Sequence, residues 1–241
     1  METIQSEHVV YAHGDVPCEG YMAWDGAREG PRPGILVAHT WMGLAPFIEE
    51  RTRALAGLGY VALALDLYGR GVRPHDREEA ARESARYGND PGLLRGRARA
   101  ALDRLRGEPR CADRPLAAIG YCFGGHVVLE LARDGAELAG VVSFHGMLAT
   151  HRLAGRGGLR AKVLALHGAE DPIVPVEDVL AFQREMQEAG ADWQLVVYGA
   201  SGHGFTNPAA GSDRASGLFY QPDAERRSWQ AMRAFLAEVL G

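Results

Sequence analysis

The sequence predicts a three-layer α/β architecture, a mostly parallel central sheet with helices on both faces. Three observations carry this. Apolar runs of strand length recur along the chain, amphipathic helical stretches separate them, and 46% of the 241 residues are hydrophobic, enough for one sizeable core.

The elements follow in order. "HVVYAH" and "CEGYMAWDG" alternate as two short strands, and "GILVAHT" is a buried one. "PFIEERTRALAGLG" reads as a helix, with Pro46 at its start, where a missing N–H costs nothing, and glycines at its end. "YVALALDLYG" is the next strand, followed by a long polar, helical region from about 75 to 106. "YGNDPGLL" interrupts that region, as a cap over a site or as a loop between two helices. "PLAAIGYC" is a strand and "FGGHVVLELARDG" the helix leaving it; "GVVSFHG", "KVLALHG" and "WQLVVYG" complete the strands. In "VEDVLAFQREMQEAG", Val176, Val179, Leu180 and Met186 share a helical face, and the last helix should bury Trp229, Met232, Leu236 and Val239. With no repeat and no linker, residues 1–241 are expected to form a single domain.

Charge narrows the partners. With 26 basic and 31 acidic residues, a net charge of -5, no nucleic-acid or membrane partner is expected. The arginines of "LLRGRARAALDRLRG" read as a solvated face, because Ala98, Ala101, Leu102 and Leu105 form an apolar stripe between them. The opening "METIQSEHVVYAHGD" lacks the basic start and apolar run of a secretion signal, and no apolar stretch approaches the roughly 18 residues of a membrane span. Cys18, Cys111 and Cys122 are too scattered for a disulfide framework. A cytoplasmic protein with reduced thiols is expected, monomeric or homodimeric, acting on a small molecule. No CxxC, HxH or HExxH spacing points to a metal, and no cofactor is expected.

In open parallel sheets, sites gather past the carboxyl ends of the strands. Those ends carry His39 with Thr40, Asp66, Cys122, His145, His167 with Asp171, and His203. In "GYCFGG", Gly120 and Gly124 flank Cys122 as a strained strand-to-helix elbow requires. The elbow sets the thiol at the positive end of a helix, which favours a thiolate, and aims the Phe123 N–H at the same point. Buried cysteines and turn glycines are common, so the elbow reading leans on the residues that follow. His203, in "GASGHGF", is the candidate base, and Asp171, in "HGAEDPIVP", its orienter; alone, Asp171 reads equally well as a helix-entry carboxylate. The chain order nucleophile, acid, histidine is that of the α/β-hydrolase fold. The Trp41 N–H, after the first long strand, is the second oxyanion candidate. His145 and His167 read as satisfied hydrogen-bonding groups, His126 as structural, and His8, His13, His75 and His151 as surface.

With these residues placed, the chain resembles the dienelactone hydrolase family, the α/β-hydrolases that use cysteine. "VAHTWMGL", "GYVALALDLYGRG", "IGYCFGG", "LHGAEDPIVP" and "SGHGFTNP" stand in family order over nearly the whole length. The resemblance implies hydrolysis of a carboxylic ester or lactone through an acyl-thiol intermediate, with Cys122 as nucleophile, His203 as base and Asp171 as its partner. It also marks two departures. Thr40 stands where known members carry a glutamate that helps switch the thiol to its reactive state. Asn207 stands near the place of an arginine that holds the dienelactone carboxylate, so a substrate other than dienelactone is expected. Thr40, Tyr68 and Asn207 are the candidate substrate-binding side chains. The same residues admit a second reading, a non-catalytic or redox-sensing protein of this fold in which Cys122 is a sensor thiol.

Overall fold

A computed structural model describes residues 3–241. Met1 and Glu2, which begin the stretch expected to be no secretion signal, lie outside them. The strand order is β1-β2-β4-β3-β5-β6-β7-β8, with helices on both sides of a mostly parallel sheet. This is the predicted fold class. The chain comprises two compact units, residues 1–119 and 120–241.

In the first unit, β1 (Ile4–His13) and β2 (Val16–Asp25) form an antiparallel hairpin, closed where Gly14 takes φ 58°. β2 runs antiparallel to β4 (Val61–Ala64), which is parallel to β3 (Gly34–Ala38). β3 and β4 are buried throughout, which is why they read as unbroken apolar runs. Helix α1 (Pro46–Gly57) buries Ile48, Thr52, Leu55 and Ala56, one stripe at helical spacing. Helix α2 (Arg77–Gly88) and helix α3 (Pro91–Arg106) divide the long helical region. Asp76 and Asp90 cap them by accepting the Glu79 and Leu93 N–H groups, both at 2.9 Å. "YGNDPGLL" is the junction between these two helices, with Tyr87 and Leu94 wholly buried. The arginine run departs from the solvated-face expectation, because Arg95 and Arg97 are buried. Arg97 donates to the Cys18 sulfur at 3.2 Å and lies over the Tyr87 ring, partners that periodicity along one helix does not reveal.

β5 (Leu116–Tyr121) leads into the second unit, where β6 (Gly140–Phe144), β7 (Lys162–Gly168) and β8 (Trp193–Tyr198) are parallel. Helix α4 (Phe123–Arg133) is buried along its whole length. Helix α5 (Val176–Ala189) buries Val179, Phe182, Glu185, Met186 and Ala189, while Val176 and Leu180 are exposed. The buried seam is turned from the predicted one because it includes a charged residue, Glu185, which an apolar count passes over. Helix α6 (Pro222–Leu240) buries Ala224, Ser228, Met232, Phe235, Leu236 and Leu240, with Trp229 and Val239 only half-buried beside that stripe.

Glu185 belongs to an ionic cluster in the core of this unit. The Arg133 guanidinium grips its carboxylate at 2.9 and 2.7 Å, and also donates to Glu130 at 3.0 Å and to the Leu148 carbonyl at 2.7 Å. Glu185 in turn accepts the Ala154 N–H at 3.0 Å. The segment after β6 is thereby tied to α4, the helix that leaves Cys122. Among the described residues no helix is long and apolar enough to cross a membrane.

Candidate active site

Cys122 stands between β5 and α4 with φ 55° and ψ -118°, a backbone conformation that L-residues rarely adopt. Its N–H donates to the Phe144 carbonyl at 2.9 Å, and its carbonyl accepts the Gly125 N–H at 2.9 Å, fixing the turn from both sides. The glycines are sterically required. A Cβ on Gly120 would run into the Gly124 carbonyl, and one on Gly125 would lie 2.7 Å from the Gly146 Cα. Gly120→Ala is therefore expected to cost about 1–3 kcal/mol, toward the upper end because backbone must move. Urea unfolding checks this; a wild-type midpoint would mean that the elbow yields freely.

Phe123 is the first residue of α4, so its N–H has no carbonyl of its own helix to meet and faces outward at the helix's positive end. Cys122 is half-buried, whereas Cys18 and Cys111 are buried, and burial pushes the Cys111 thiol up to about 12. Of the three thiols, Cys122 is the one whose residue is not buried.

His203 Nε2 lies 3.1 Å from the Cys122 sulfur, and its Nδ1 lies 2.9 Å from Asp171 Oδ2. Both side chains are buried, and the His203 N–H donates to the Gly217 carbonyl at 2.8 Å. Close backbone packing brings them together: a Cβ on Gly168 would lie 2.5 Å from the Ser201 carbonyl. Asp171 does not cap α5, whose N-cap is Pro175. Its Oδ1 accepts the N–H groups of Ile173 at 2.8 Å and Val174 at 3.3 Å, leaving Oδ2 for the histidine. Burial opposes charge on His203, but the adjacent Cys122 sulfur and the Asp171 hydrogen bond outweigh it, lifting the imidazole to about 10. The sulfur, imidazole and carboxylate thus form a continuous chain in the second unit.

The other candidates are placed as follows. In the first unit, the Thr40 hydroxyl oxygen accepts the Met42 N–H at 3.3 Å, organising the turn that contains Trp41. His39 supports that turn. Its Nε2 accepts the Leu67 N–H at 3.2 Å, so its Nδ1 donates to the Thr40 carbonyl at 2.7 Å, and burial pushes this imidazole down toward the neutral form. Tyr68 is buried and donates to the Trp41 carbonyl at 2.7 Å. In the second unit, the Asn207 side chain accepts the Ala209 N–H at 3.0 Å and so caps a short turn. His145 and His167 depart from the expectation of satisfied groups, since Nδ1 of each is buried without a partner. His145 lies against His203 with ring centroids 5.2 Å apart, a neighbour that no local motif announces.

With this geometry in place, the comparison with known proteins is decisive. Residues 19–240 match the model of the dienelactone hydrolase family. The chain belongs to the dienelactone hydrolase family. It is accordingly a hydrolase, as its family resemblance implied. Among solved structures, it is similar to m3DLH, at 41% identity and a TM-score of 0.95 over 99% of this chain and 100% of that one. It is also similar to P91, a dienelactone hydrolase-like promiscuous phosphotriesterase from metagenomic libraries, at 39% identity, a TM-score of 0.92, and coverage of 99% and 100%. A carboxymethylenebutenolidase from Pseudomonas sp. strain P51 is 31% identical over 82% of this chain and 81% of the relative. The dienelactone hydrolase family match spans both units.

Proposed function

We infer that this hydrolase cleaves a carboxylic ester or lactone of a small soluble substrate, with Cys122 as nucleophile, His203 as base and Asp171 as orienter, residues 1–241 acting as one catalytic domain. The observation that carries this is the Cys122–His203–Asp171 chain, with contacts of 3.1 and 2.9 Å. His203 Nε2 takes the Cys122 proton and the thiolate adds to the substrate carbonyl carbon. The Phe123 N–H donates to the oxyanion. Collapse breaks the bond to the alkoxide, which leaves with the proton from His203, and an acyl-thiol remains on Cys122. Water then gives a proton to His203 and attacks the acyl carbon. The acid departs, and the thiolate is regenerated. Asp171 holds the Nδ1 proton of His203 and so keeps Nε2 turned to the sulfur.

A substrate lacking the free carboxylate of dienelactone fits the residues better, since Asn207 is uncharged and its side-chain oxygen is engaged by Ala209. Phosphate triesters are a second substrate class, favoured by the 39% identity to a protein described as a phosphotriesterase. The test is a panel of aryl esters, small lactones and aryl phosphate triesters, run with the wild type and Cys122→Ala. Equal rates for the two proteins on every substrate would refute the reading.

The His203 proton sets a pH expectation. A histidine raised to about 10 keeps its proton below that pH and loses it above. On the proposed mechanism that proton is the one His203 takes from Cys122, so a thiolate–imidazolium pair is the expected reactive state. Alkylation of Cys122 by iodoacetamide should vary less than about twofold between pH 7 and 9, whereas an ordinary thiol would speed up about 25-fold over that interval. A rise of the latter size would show that no thiolate–imidazolium pair forms.

A further inference from the structure

The geometry points to His145 as a positioning residue for His203: its imidazole braces the 203–206 segment from behind, so that Nε2 of His203 is held on the Cys122 sulfur. This rests on reading His203 as the base.

The segment needs a brace. Gly202 and Gly204 flank His203, with Gly204 at φ 75°, and glycine offers little resistance to backbone rotation. All three side chains of residues 203–206 close on His145. His203 meets its ring at 66°, with centroids 5.2 Å apart. Phe205, which is fully buried, meets it at 5.0 Å and 78°. Thr206 Oγ1 lies 2.8 Å from its Nε2. His145 is itself fixed, since its N–H donates to the Leu166 carbonyl at 2.8 Å and its side chain is buried. It thus links the end of β6 to the loop after β8, one imidazole holding three side chains of the segment that carries the base.

The residue is costly by any purely structural measure. Its backbone takes φ 39°, and its Nδ1 is buried with no partner. An apolar side chain would fill this space without that second cost, so the histidine is explained by what its Nε2 and ring edge do for the neighbouring loop. The groups facing it are His203, His167 on β7 and the Tyr121 ring on β5, with Cys122 and Asp171 beyond His203. Beside an imidazolium His203, a neutral His145 is the compatible partner; burial and the His203 charge both push it well below the usual histidine range. With a single proton on Nε2, it donates to Thr206 Oγ1 and leaves Nδ1 a bare acceptor, a smaller loss than an unpaired N–H.

The experiment compares wild type with His145→Gln, His145→Leu and Thr206→Val. Gln places an amide nitrogen where His145 has Nε2, whereas Leu fills space only. Both are unbranched at Cβ, so neither adds strain at φ 39°. The readouts are the ratio of iodoacetamide alkylation rates of Cys122 at pH 7 and pH 9, the split of kcat from KM on an ester, and the melting temperature. In His145→Leu, the pH 7 to pH 9 ratio should fall at least roughly fivefold and kcat at least roughly tenfold, with KM within about threefold, because a displaced base loses alignment without losing the pocket. Thr206→Val should move both readouts the same way, and its near-isosteric change keeps the test alive if His145→Leu does not fold. His145→Gln should stay near wild type. A lower melting temperature with unchanged ratio and kcat in His145→Leu or Thr206→Val would overturn the proposal, leaving a structural role only. A wild type whose alkylation climbs steeply between pH 7 and 9 would sink the Cys122–His203 pairing and this proposal with it. A flat wild type with a flat His145→Leu would sink this proposal alone.

Discussion

Cys122→Ala is expected to reduce ester hydrolysis by a factor on the order of 10⁴ to 10⁶, and His203→Ala by a similar factor, because members of such a triad act as one unit. The double variant should be scarcely worse than either single one. The expectation rests on geometry: the sulfur has a base within reach, His203 Nε2 at 3.1 Å. Without the sulfur no acyl-thiol forms, and without the imidazole neither the thiolate nor the attacking water is generated. Folding should be little affected by Cys122→Ala, since alanine is smaller and tolerates φ 55° no worse than cysteine does. Initial rates on an activated ester, with the melting temperature as a folding control, check this. A Cys122→Ala protein retaining a tenth of wild-type activity would move the nucleophile elsewhere.

The largest expected stability effect lies behind the site, at Arg133. Its guanidinium is 1% exposed and is held between Glu130, also 1% exposed, and Glu185, 3% exposed. Arg133→Met would leave two carboxylates buried without their cation, a loss of about 3–5 kcal/mol. Against a typical total of about 5–15 kcal/mol, that is a large share of the folding free energy. Replacing all three residues by apolar ones of similar size should recover part of the loss but not all of it. The Ala154 N–H and the Leu148 carbonyl would still lack the partners they have now. Urea unfolding of the single and triple variants measures both terms; a loss below about 1 kcal/mol in Arg133→Met would mean that water reaches these carboxylates.

What the sequence disclosed follows from how local each signal is. β3, β5, β6 and β7 are short, wholly or almost wholly buried strands, so each announces itself as an apolar run. The strained strand-to-helix turn at Cys122 is legible because its requirements, Gly120 and Gly124, lie within five residues. Asp171 and His203 are legible as candidates through chain order, though their contact spans 32 positions. Arg97 was not: it looks solvated on its own helix, and its partners Cys18 and Tyr87 come from other elements. Val176 and Leu180 invert for a related reason, because the buried face of α5 is set partly by the Glu185–Arg133 pair across 52 positions. His145 escapes in the same way, since its bond to Thr206 joins residues 61 apart. Patterns within one element reveal burial by apolar residues; they are silent on polar side chains whose burial depends on a distant partner.

Thr40 sharpens the question of how the thiol is activated. Its hydroxyl oxygen is engaged by the Met42 N–H and cannot supply a carboxylate. On the present reading the thiolate depends on His203 and the start of α4, and an acyl group must pass through Cys122. The most direct test is mass spectrometry of the protein quenched during turnover of an activated ester, followed by peptide mapping. The account predicts an acyl adduct on the peptide carrying Cys122 in the wild type and none in Cys122→Ala or His203→Ala. Turnover at the wild-type rate by Cys122→Ala, with no adduct at position 122 in any protein, would contradict it.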